Sequence, residues 1–149
     1  MKLLTLYCII NIEKYAIFFS SERNNKMKIS EIKVLICDDS ILVRKKLNQT
    51  LKEMGITEIR EAVNGNQAVE FYKEINPDVT FMDIVMPEKS GLDALKEIKE
   101  YNPDARVIMA STIGTQSNLT TAIKAGATDF LQKPVNNEDV YKIINSLLK

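Results

Sequence analysis

The chain of 149 residues contains no histidine. This absence excludes a Ser-His-Asp triad, an imidazole-bound zinc site and a phosphohistidine carrier within the chain. Cysteine is also scarce: Cys8 and Cys37 lie in different segments and form neither a zinc-binding spacing nor a disulfide framework. Because such sparse, unpaired cysteines are typical of a reducing compartment, we expect a cytoplasmic protein.

The chain also lacks an excess charge of either sign and a long hydrophobic run. Lysine plus arginine and aspartate plus glutamate are balanced at 20 each, so the formal net charge is zero. Nucleic-acid binders normally carry a basic excess, and we therefore expect no direct contact with nucleic acid. The apolar stretch at residues 3–12 is shorter than the about 20 residues that cross a bilayer, so no membrane span is expected.

Residues 1–29 differ in character from the rest of the chain. The apolar stretch there is interrupted by Glu13 and Lys14, and no small-residue cleavage site follows at a sensible distance. A sequence that is complete as a domain begins at Met27. We expect residues 1–29 to be an extension, either a misassigned start or a disordered segment, with a membrane-surface helix as the alternative. Residues 30–149 are expected to form one domain.

Strand-like and helix-like segments alternate along residues 30–149. Strands are predicted at residues 33–37, 58–62, 79–82, 107–110 and 129–132, and the first and third of these contain short apolar runs that end in polar residues. Apolar residues at helical spacing in residues 43–54 predict a helix that Ser40 can cap, and Asn136 or Asn137 can cap the last helix. Five alternations of strand and helix predict an α/β fold with a doubly wound parallel sheet and helices on both faces.

Acidic residues follow two of the predicted strands. Asp38 and Asp39 come directly after the first strand, and Asp83 comes directly after the third. Because the carboxyl ends of parallel strands share one crevice, we expect the three carboxylates to converge there. Carboxylates about 4 Å apart repel by roughly 4 kcal/mol per pair at an effective dielectric constant of 20. The sequence therefore predicts a site for a hard divalent cation, which oxygen ligands prefer.

Two further strand ends contribute polar groups to the same crevice. Ser111 and Thr112 follow the fourth predicted strand, and Lys133 follows the fifth and precedes Pro134. Each of these groups alone has an ordinary explanation, as a helix cap, a loop residue or a solvated side chain. Their joint occurrence at four of the five strand ends indicates a functional site.

The sequence resembles the CheY-like receiver domains, which are the response-regulator half of bacterial two-component signalling. The resemblance covers residues 30–149 and depends on four motifs: Asp38-Asp39-Ser40, Met82-Asp83-Ile84-Val85-Met86-Pro87, Ala110-Ser111-Thr112 and Leu131-Gln132-Lys133-Pro134. It implies a flavodoxin-like sheet with the strand order 2-1-3-4-5. It also implies a cis peptide bond between Lys133 and Pro134.

The resemblance implies a role for each residue of the crevice. Asp83 would accept a phosphoryl group from a sensor histidine kinase, while Ser111 and Lys133 would contact the phosphoryl oxygens. Ser111 and Phe130 would move together as the switch. The implied Mg²⁺ ligands are the carboxylates of Asp38, Asp39 and Asp83 and the backbone carbonyl of Val85.

The implied function is a stand-alone response regulator whose catalysis is confined to its own phosphorylation and dephosphorylation. Residues 109–116 and 122–127 are similar to those of chemotaxis receivers, which suggests a flagellar-motor switch as the downstream partner. The partner would bind the face formed by the fourth helix, the fifth strand and the fifth helix. A phosphorelay carrier, which passes the phosphoryl group to another histidine protein, is the alternative within this class.

Three residues near the site depart from the family pattern. Val85 and Ile113 are apolar where fast-cycling receivers place polar groups that orient water, so we predict a long-lived aspartyl phosphate. Thr112 adds bulk beside the acceptor, where alanine or glycine is common in the family.

Functions of other classes use similar elements. A magnesium-dependent phosphohydrolase that forms an aspartyl phosphate would need a second aspartate two residues after Asp83, where this chain has Val85. A flavodoxin-like nucleotide or flavin module would need a first loop rich in glycine, serine and threonine, whereas this chain has Asp38-Asp39-Ser40. The sequence therefore favours the signalling switch.

Overall fold

The computed structural model describes residues 27–112 and 116–149. Within these ranges a short 3-10 helix, Ile29–Glu31, precedes five strands that alternate with five α-helices. The strands are β1 (Lys33–Cys37), β2 (Glu58–Ala62), β3 (Val79–Asp83), β4 (Val107–Ser111) and β5 (Asp129–Gln132). The helices are α1 (Ile41–Glu53), α2 (Gly65–Ile75), α3 (Gly91–Tyr101), α4 (Gln116–Lys124) and α5 (Asn137–Leu147). Nearly all of the extension predicted at residues 1–29 lies outside the described ranges, and so does Ile113.

The five strands form one parallel sheet in the order β2-β1-β3-β4-β5, which confirms the predicted doubly wound topology. The register places Cys37 of β1 beside Met82 of β3, and Asp83 of β3 beside Ala110 of β4. The carboxyl ends of the three central strands are therefore level with one another. This arrangement brings the loops after β1, β3 and β4 to one edge of the sheet.

The core is divided by the sheet into two apolar layers. Alternate residues of β1 enter different layers: Leu35 and Cys37 pack with α2 and α3, while Val34 and Ile36 pack with α1 and α5. All five residues of β3 and all five of β4 are buried, which is expected for parallel strands covered by helices on both faces. The central strands are thus fixed from both sides by packing.

The helix ends follow the local signals in the sequence. The Ser40 side chain accepts a hydrogen bond from the backbone N–H of Val43 at the start of α1, as predicted. Of the two candidates for the last helix, Asn136 is the N-cap, because its Oδ1 accepts the N–H of Asp139 at 2.8 Å. Gly126 follows α4 with φ of 97°, a left-handed conformation that glycine adopts without steric cost.

Two predicted strand ends were one residue too short. Asp83 is the last residue of β3 and Ser111 the last residue of β4, rather than the first residues of the loops. The reason is that parallel pairing continues to these positions, since Asp83 lies beside Ala110 and Ser111 beside Gln132. Both polar residues are consequently attached to a buried backbone.

Two smaller expectations are also settled. The Lys133-Pro134 peptide bond is cis, as the resemblance to receiver domains implied. Among the helices of the described ranges, none has the length and apolar character needed to cross a membrane.

Candidate functional site

Three carboxylates meet at the carboxyl edge of the sheet. Asp38 follows β1, Asp39 begins the turn into α1, and Asp83 ends β3. One oxygen atom from each of the three carboxylates can be chosen so that all lie within 4.8 Å of one another. Asp38 and Asp83 are buried, at 3% and 8% exposure, whereas Asp39 is exposed. The cluster therefore has a closed floor and one side that faces solvent.

Lys133 lies between two of these carboxylates. Its ammonium group donates a hydrogen bond to Oδ2 of Asp38 and lies 3.0 Å from Oδ2 of Asp83. The residue reaches the cluster from the loop between β5 and α5, where its backbone N–H donates to the carbonyl of Ser111 at 2.8 Å. Only 11% of the Lys133 side chain is exposed, so this charge is largely withdrawn from water.

Asp38, Asp83 and Lys133 are largely buried, and burial and mutual pairing shift the pKa values of Asp83 and Lys133. Burial raises the pKa of the Asp83 carboxyl above its usual value, although the hydrogen bond and charge of Lys133 oppose that rise. Burial by itself would lower the pKa of Lys133, but its bonds to Asp38 and Asp83 outweigh burial and raise that pKa. Lys133 is therefore a cation at neutral pH, and it pairs with two of the three acids.

The donor set fits a hard divalent cation. All three side chains offer oxygen, the ligand atom that Mg²⁺ prefers, and one lysine leaves the cluster with an excess of negative charge. The exposed Asp39 stands on the side from which a hydrated ion could enter. Mg²⁺ usually keeps several waters and binds through a few carboxylates, which suits a cluster that is open on one side.

Val85 lies two residues beyond Asp83 in the loop between β3 and α3. Its backbone N–H donates to Oδ1 of Asp83 at 3.4 Å, and the residue is 66% exposed. The use of its carbonyl as a metal ligand stays a prediction. The exposed residue at this position is apolar and offers no side-chain group that could hold a water molecule.

Three predicted residues lie on the β4 and β5 side of the cluster. Ser111 is 1% exposed at the end of β4, one residue beyond the Ala110 that pairs with Asp83. Thr112 is exposed and, with Lys133, lines an apolar groove of about 320 Å³ between α1 and α5. Phe130 is half-buried on β5 and packs against the core layer of α2 and α3.

Two residues that support the cluster were not singled out as site residues from the sequence. A Cβ added to Gly91 would lie 1.8 Å from the carbonyl oxygen of Asp83, so the start of α3 needs glycine to approach the end of β3 this closely. Arg44 donates hydrogen bonds to the backbone carbonyls of Asp38 and Asp39 at 2.8 and 3.2 Å. A cation in the first turn of a helix is unfavourable to the helix dipole, and that anomaly was the available signal for Arg44.

The comparison with known families agrees with this geometry. The family model described as the response regulator receiver domain matches residues 34–145, which is most of the chain. This chain belongs to the receiver domain family. The resemblance inferred from the four sequence motifs is therefore confirmed.

Individual relatives place the receiver domain near chemotaxis proteins. It is 44% identical over 117 residues to the chemotaxis protein CheY of Thermotoga maritima, covering 78% of this chain and 98% of that protein. It is 47% identical over 116 residues to CheY of Bacillus subtilis, covering 78% of this chain and 97% of that protein. This is a receiver domain of two-component signalling, homologous to chemotaxis response regulators.

A solved structure supports the fold as well as the family. The match is to the crystal structure of the CheX–CheY–BeF₃–Mg²⁺ complex from Borrelia burgdorferi, with a TM-score of 0.74 and 34% sequence identity. It covers 79% of this chain and 90% of that chain. The flavodoxin-like architecture predicted from the sequence is thus also that of a CheY-type structural relative.

Proposed function

We propose that this receiver domain is a stand-alone response regulator that accepts a phosphoryl group on Asp83 from a sensor histidine kinase in the cytoplasm. The observation that carries the proposal is the cluster of Asp38, Asp39 and Asp83, with Lys133 bound to two of them. Phosphoryl transfer requires a fixed nucleophile and positive charge around the phosphoryl oxygens; Asp83 would be the nucleophile, and Lys133 together with a bound Mg²⁺ would supply the charge.

The proposed reaction transfers a phosphoryl group from a histidine nitrogen of the kinase to the Asp83 carboxylate. A carboxylate oxygen of Asp83 forms a bond to phosphorus while the bond from phosphorus to the donor imidazole breaks, and the imidazole leaves as a neutral group after taking up a proton. The Lys133 ammonium pairs with one phosphoryl oxygen, and the Ser111 hydroxyl donates to another. Bound Mg²⁺ would neutralise further charge on the phosphoryl oxygens. Its ligands would be Asp38, Asp39, Asp83 and the backbone carbonyl of Val85.

The position of Asp83 supports its role as the nucleophile. It is the last residue of a strand whose five residues are all buried, so its backbone is held by the ladders to β1 and β4. Burial raises the pKa of its carboxyl, and a more basic carboxylate is a better nucleophile once it is ionised. A rigid, desolvated and more basic carboxylate suits attack on phosphorus.

The proposed output is a change in protein binding at the face formed by α4, β5 and α5. Phosphorylation would add negative charge and acceptor oxygens, which draw the Ser111 hydroxyl inward and leave space for the Phe130 ring. This face already presents apolar side chains to solvent: Leu119 is 37% exposed, Ile123 49% and Tyr141 37%. A flagellar-motor switch protein is the proposed partner, because the relatives named above are chemotaxis proteins.

The assignment of Asp83 as the phosphoacceptor is tested by replacing single aspartates with asparagine. The full chain is incubated with phosphoramidate and Mg²⁺, and the added phosphoryl group is measured by intact mass and by its lability to hydroxylamine. The parent protein and the control Asp104→Asn, which changes an exposed aspartate, should be labelled, whereas Asp83→Asn should not. Labelling of Asp83→Asn at the parental rate would refute the assignment.

The output is tested with beryllofluoride, a mimic of the phosphoryl group. Binding to the purified motor switch protein of the same organism should strengthen when beryllofluoride and Mg²⁺ are added, and Tyr141→Ala should weaken that gain. The phosphorelay alternative predicts a different result, in which phosphorylated protein loses its label to a histidine phosphotransfer protein. Net turnover of a generic phosphate ester without accumulation of modified Asp83 would instead indicate a phosphohydrolase.

A further inference from the structure

Arg44 is a buried cation that contacts the backbone of the acidic loop. It lies in the first turn of α1 and is 9% exposed. Its Nη1 donates to the carbonyl oxygens of Asp38 at 2.8 Å and Asp39 at 3.2 Å, and its Nε donates to Oε2 of Glu61 at 2.9 Å. One guanidinium therefore joins the loop after β1 to the neighbouring strand β2.

This arrangement is costly unless the position of the guanidinium matters. A cation near a helix N-terminus is opposed by the helix dipole, and a buried guanidinium loses its hydration. Both costs are offset here, because Glu61 pairs with Arg44 and is itself held by Asn48, whose Nδ2 donates to Oε1 of Glu61 at 2.7 Å. The guanidinium is therefore held by Glu61 through Nε, while its Nη1 donates to two consecutive carbonyl groups.

Asp38 and Asp39 depend to different degrees on the hydrogen bonds from Arg44 to their carbonyl groups. The Asp38 carboxylate is held directly, because it accepts the backbone N–H of Ser40 at 2.9 Å and binds Lys133. Within the described part of the chain, the Asp39 carboxylate is exposed and its side chain has no such bond. The direction of the Asp39 side chain is therefore set mainly by its own backbone, which Arg44 holds at the carbonyl.

We propose that Arg44 is a positioning residue of the magnesium site. By fixing the main chain of Asp38 and Asp39, it holds both carboxylates in place before the ion arrives. This inference rests on the proposed function, since it assumes that the acidic cluster binds Mg²⁺. It adds to the ligands a residue that touches neither the ion nor the phosphoryl group.

The sign of the effect separates positioning from simple charge. Arg44 is positive, and a positive charge near the cluster repels Mg²⁺. If charge alone mattered, removal of Arg44 would tighten Mg²⁺ binding. If positioning dominates, removal would weaken binding, because the carboxylates must then be ordered when the ion binds. Loss of groups that orient metal ligands typically costs about 10-fold to 100-fold in metal affinity.

The experiment measures Mg²⁺ binding directly, by calorimetric titration of the full chain without a phosphodonor. Arg44→Met should raise the Kd for Mg²⁺ by about tenfold. The matched control is Arg60→Met, which removes an arginine paired with Glu74 on the surface, and its Kd should stay at the parental value. If the parent itself does not bind Mg²⁺, the proposed site fails. If the parent binds but Arg44→Met binds equally well or more tightly, the positioning role is overturned.

Two further variants keep the test decisive if Arg44→Met does not fold. Arg44→Lys keeps the charge but cannot form the same fork of hydrogen bonds, so it should still weaken Mg²⁺ binding, by several-fold. Glu61→Gln keeps the bonds from Arg44 to the carbonyl groups and should raise the Kd less than Arg44→Lys does. All titrations are made where urea unfolding shows each variant to be folded. A parental Kd for Arg44→Lys, or the reverse order of the two variants, would contradict the inference.

Discussion

The two sides of the site are built differently. On the acidic side, β1 has four buried residues of five and β3 is buried throughout, so Asp38 and Asp83 stand on a backbone packed on both faces. On the output side, β5 has one buried residue of four, Leu131, and the half-buried Phe130 precedes it. This difference in burial indicates that phosphorylation of Asp83 would occur on closely packed strands and would move the less buried edge strand β5.

This contrast has an energetic reason. A nucleophile that moves away from its attacking position loses its alignment with the phosphorus atom. A closely packed strand would therefore favour the proposed acceptor, because it keeps the carboxylate in place. A switch requires two arrangements that differ by only a few kcal/mol, and a half-buried ring on an edge strand can move at that cost. The proposed acceptor thus lies on a fully buried central strand, and the proposed switch residue lies on a less buried edge strand of the same sheet.

The largest expected effect comes from removing the cation that joins the two sides. Lys133→Met should lower the free energy of unfolding in metal-free buffer by about 4 kcal/mol, because Asp38 and Asp83 lose their buried counter-charge. Urea unfolding at neutral pH measures this loss. Added Mg²⁺ should recover part of it, since the ion replaces the missing positive charge.

The matched control for Lys133 is Lys142→Met on α5. Lys142 is 75% exposed in its side chain and its distance to Asp139 is 3.6 Å, so its removal should cost less than about 1 kcal/mol. Equal effects of the two lysine substitutions would show that the site charge is not a structural element. The contrast between a buried and an exposed cation would then be wrong.

The second prediction compares neighbouring residues across the boundary between the two sides. Met109 of β4 is fully buried and pairs in register with Phe130 of β5. Met109→Ala should lower the free energy of unfolding by about 3 kcal/mol, because it leaves a cavity in a closely packed layer. Phe130→Ala should cost less than half as much, although its ring is larger, because that ring is half-buried. Urea unfolding of both variants decides the point, and equal losses would contradict the idea of a looser edge.

The three central strands were readable in the sequence because parallel strands covered on both faces consist of continuous apolar runs. The ends of β3 and β4 were less readable. Asp83 and Ser111 are polar and resemble loop residues, yet their backbones pair with the neighbouring strands. The end of a strand depends on how far its neighbours continue to pair with it, and the local sequence does not show this. The sequence therefore could not place these two residues inside the sheet.

The acidic residues and Lys133 were predictable because polar groups at the ends of parallel strands converge by topology. The contacts of Arg44 were not predicted, because they are hydrogen bonds from its side chain to two carbonyl groups and to Glu61 of another strand. Such bonds follow from three-dimensional proximity, and no spacing in the sequence specifies them. Supporting residues are therefore harder to read than ligands, although they decide where the ligands point.

The smallest expected effect concerns the lifetime of the aspartyl phosphate. Val85 is 66% exposed two residues beyond Asp83, and its apolar side chain cannot orient a water molecule for attack on phosphorus. Val85→Asn should shorten the half-life of the phosphoryl group about tenfold, because an amide can hold that water in line. The half-life is measured by intact mass after the phosphodonor is removed.

The control for Val85 is Val63→Asn, which places the same amide on an exposed valine in the loop after β2. It should leave the half-life at the parental value, because Val63 follows an edge strand and not the acceptor strand β3. If Val85→Asn also leaves the half-life unchanged, access of water is limited by another group. Loss of the phosphoryl group from the parent within seconds in Mg²⁺ would show that an apolar Val85 does not protect it. In either case the rigid side would fix the position of the acceptor without determining how long the signal lasts.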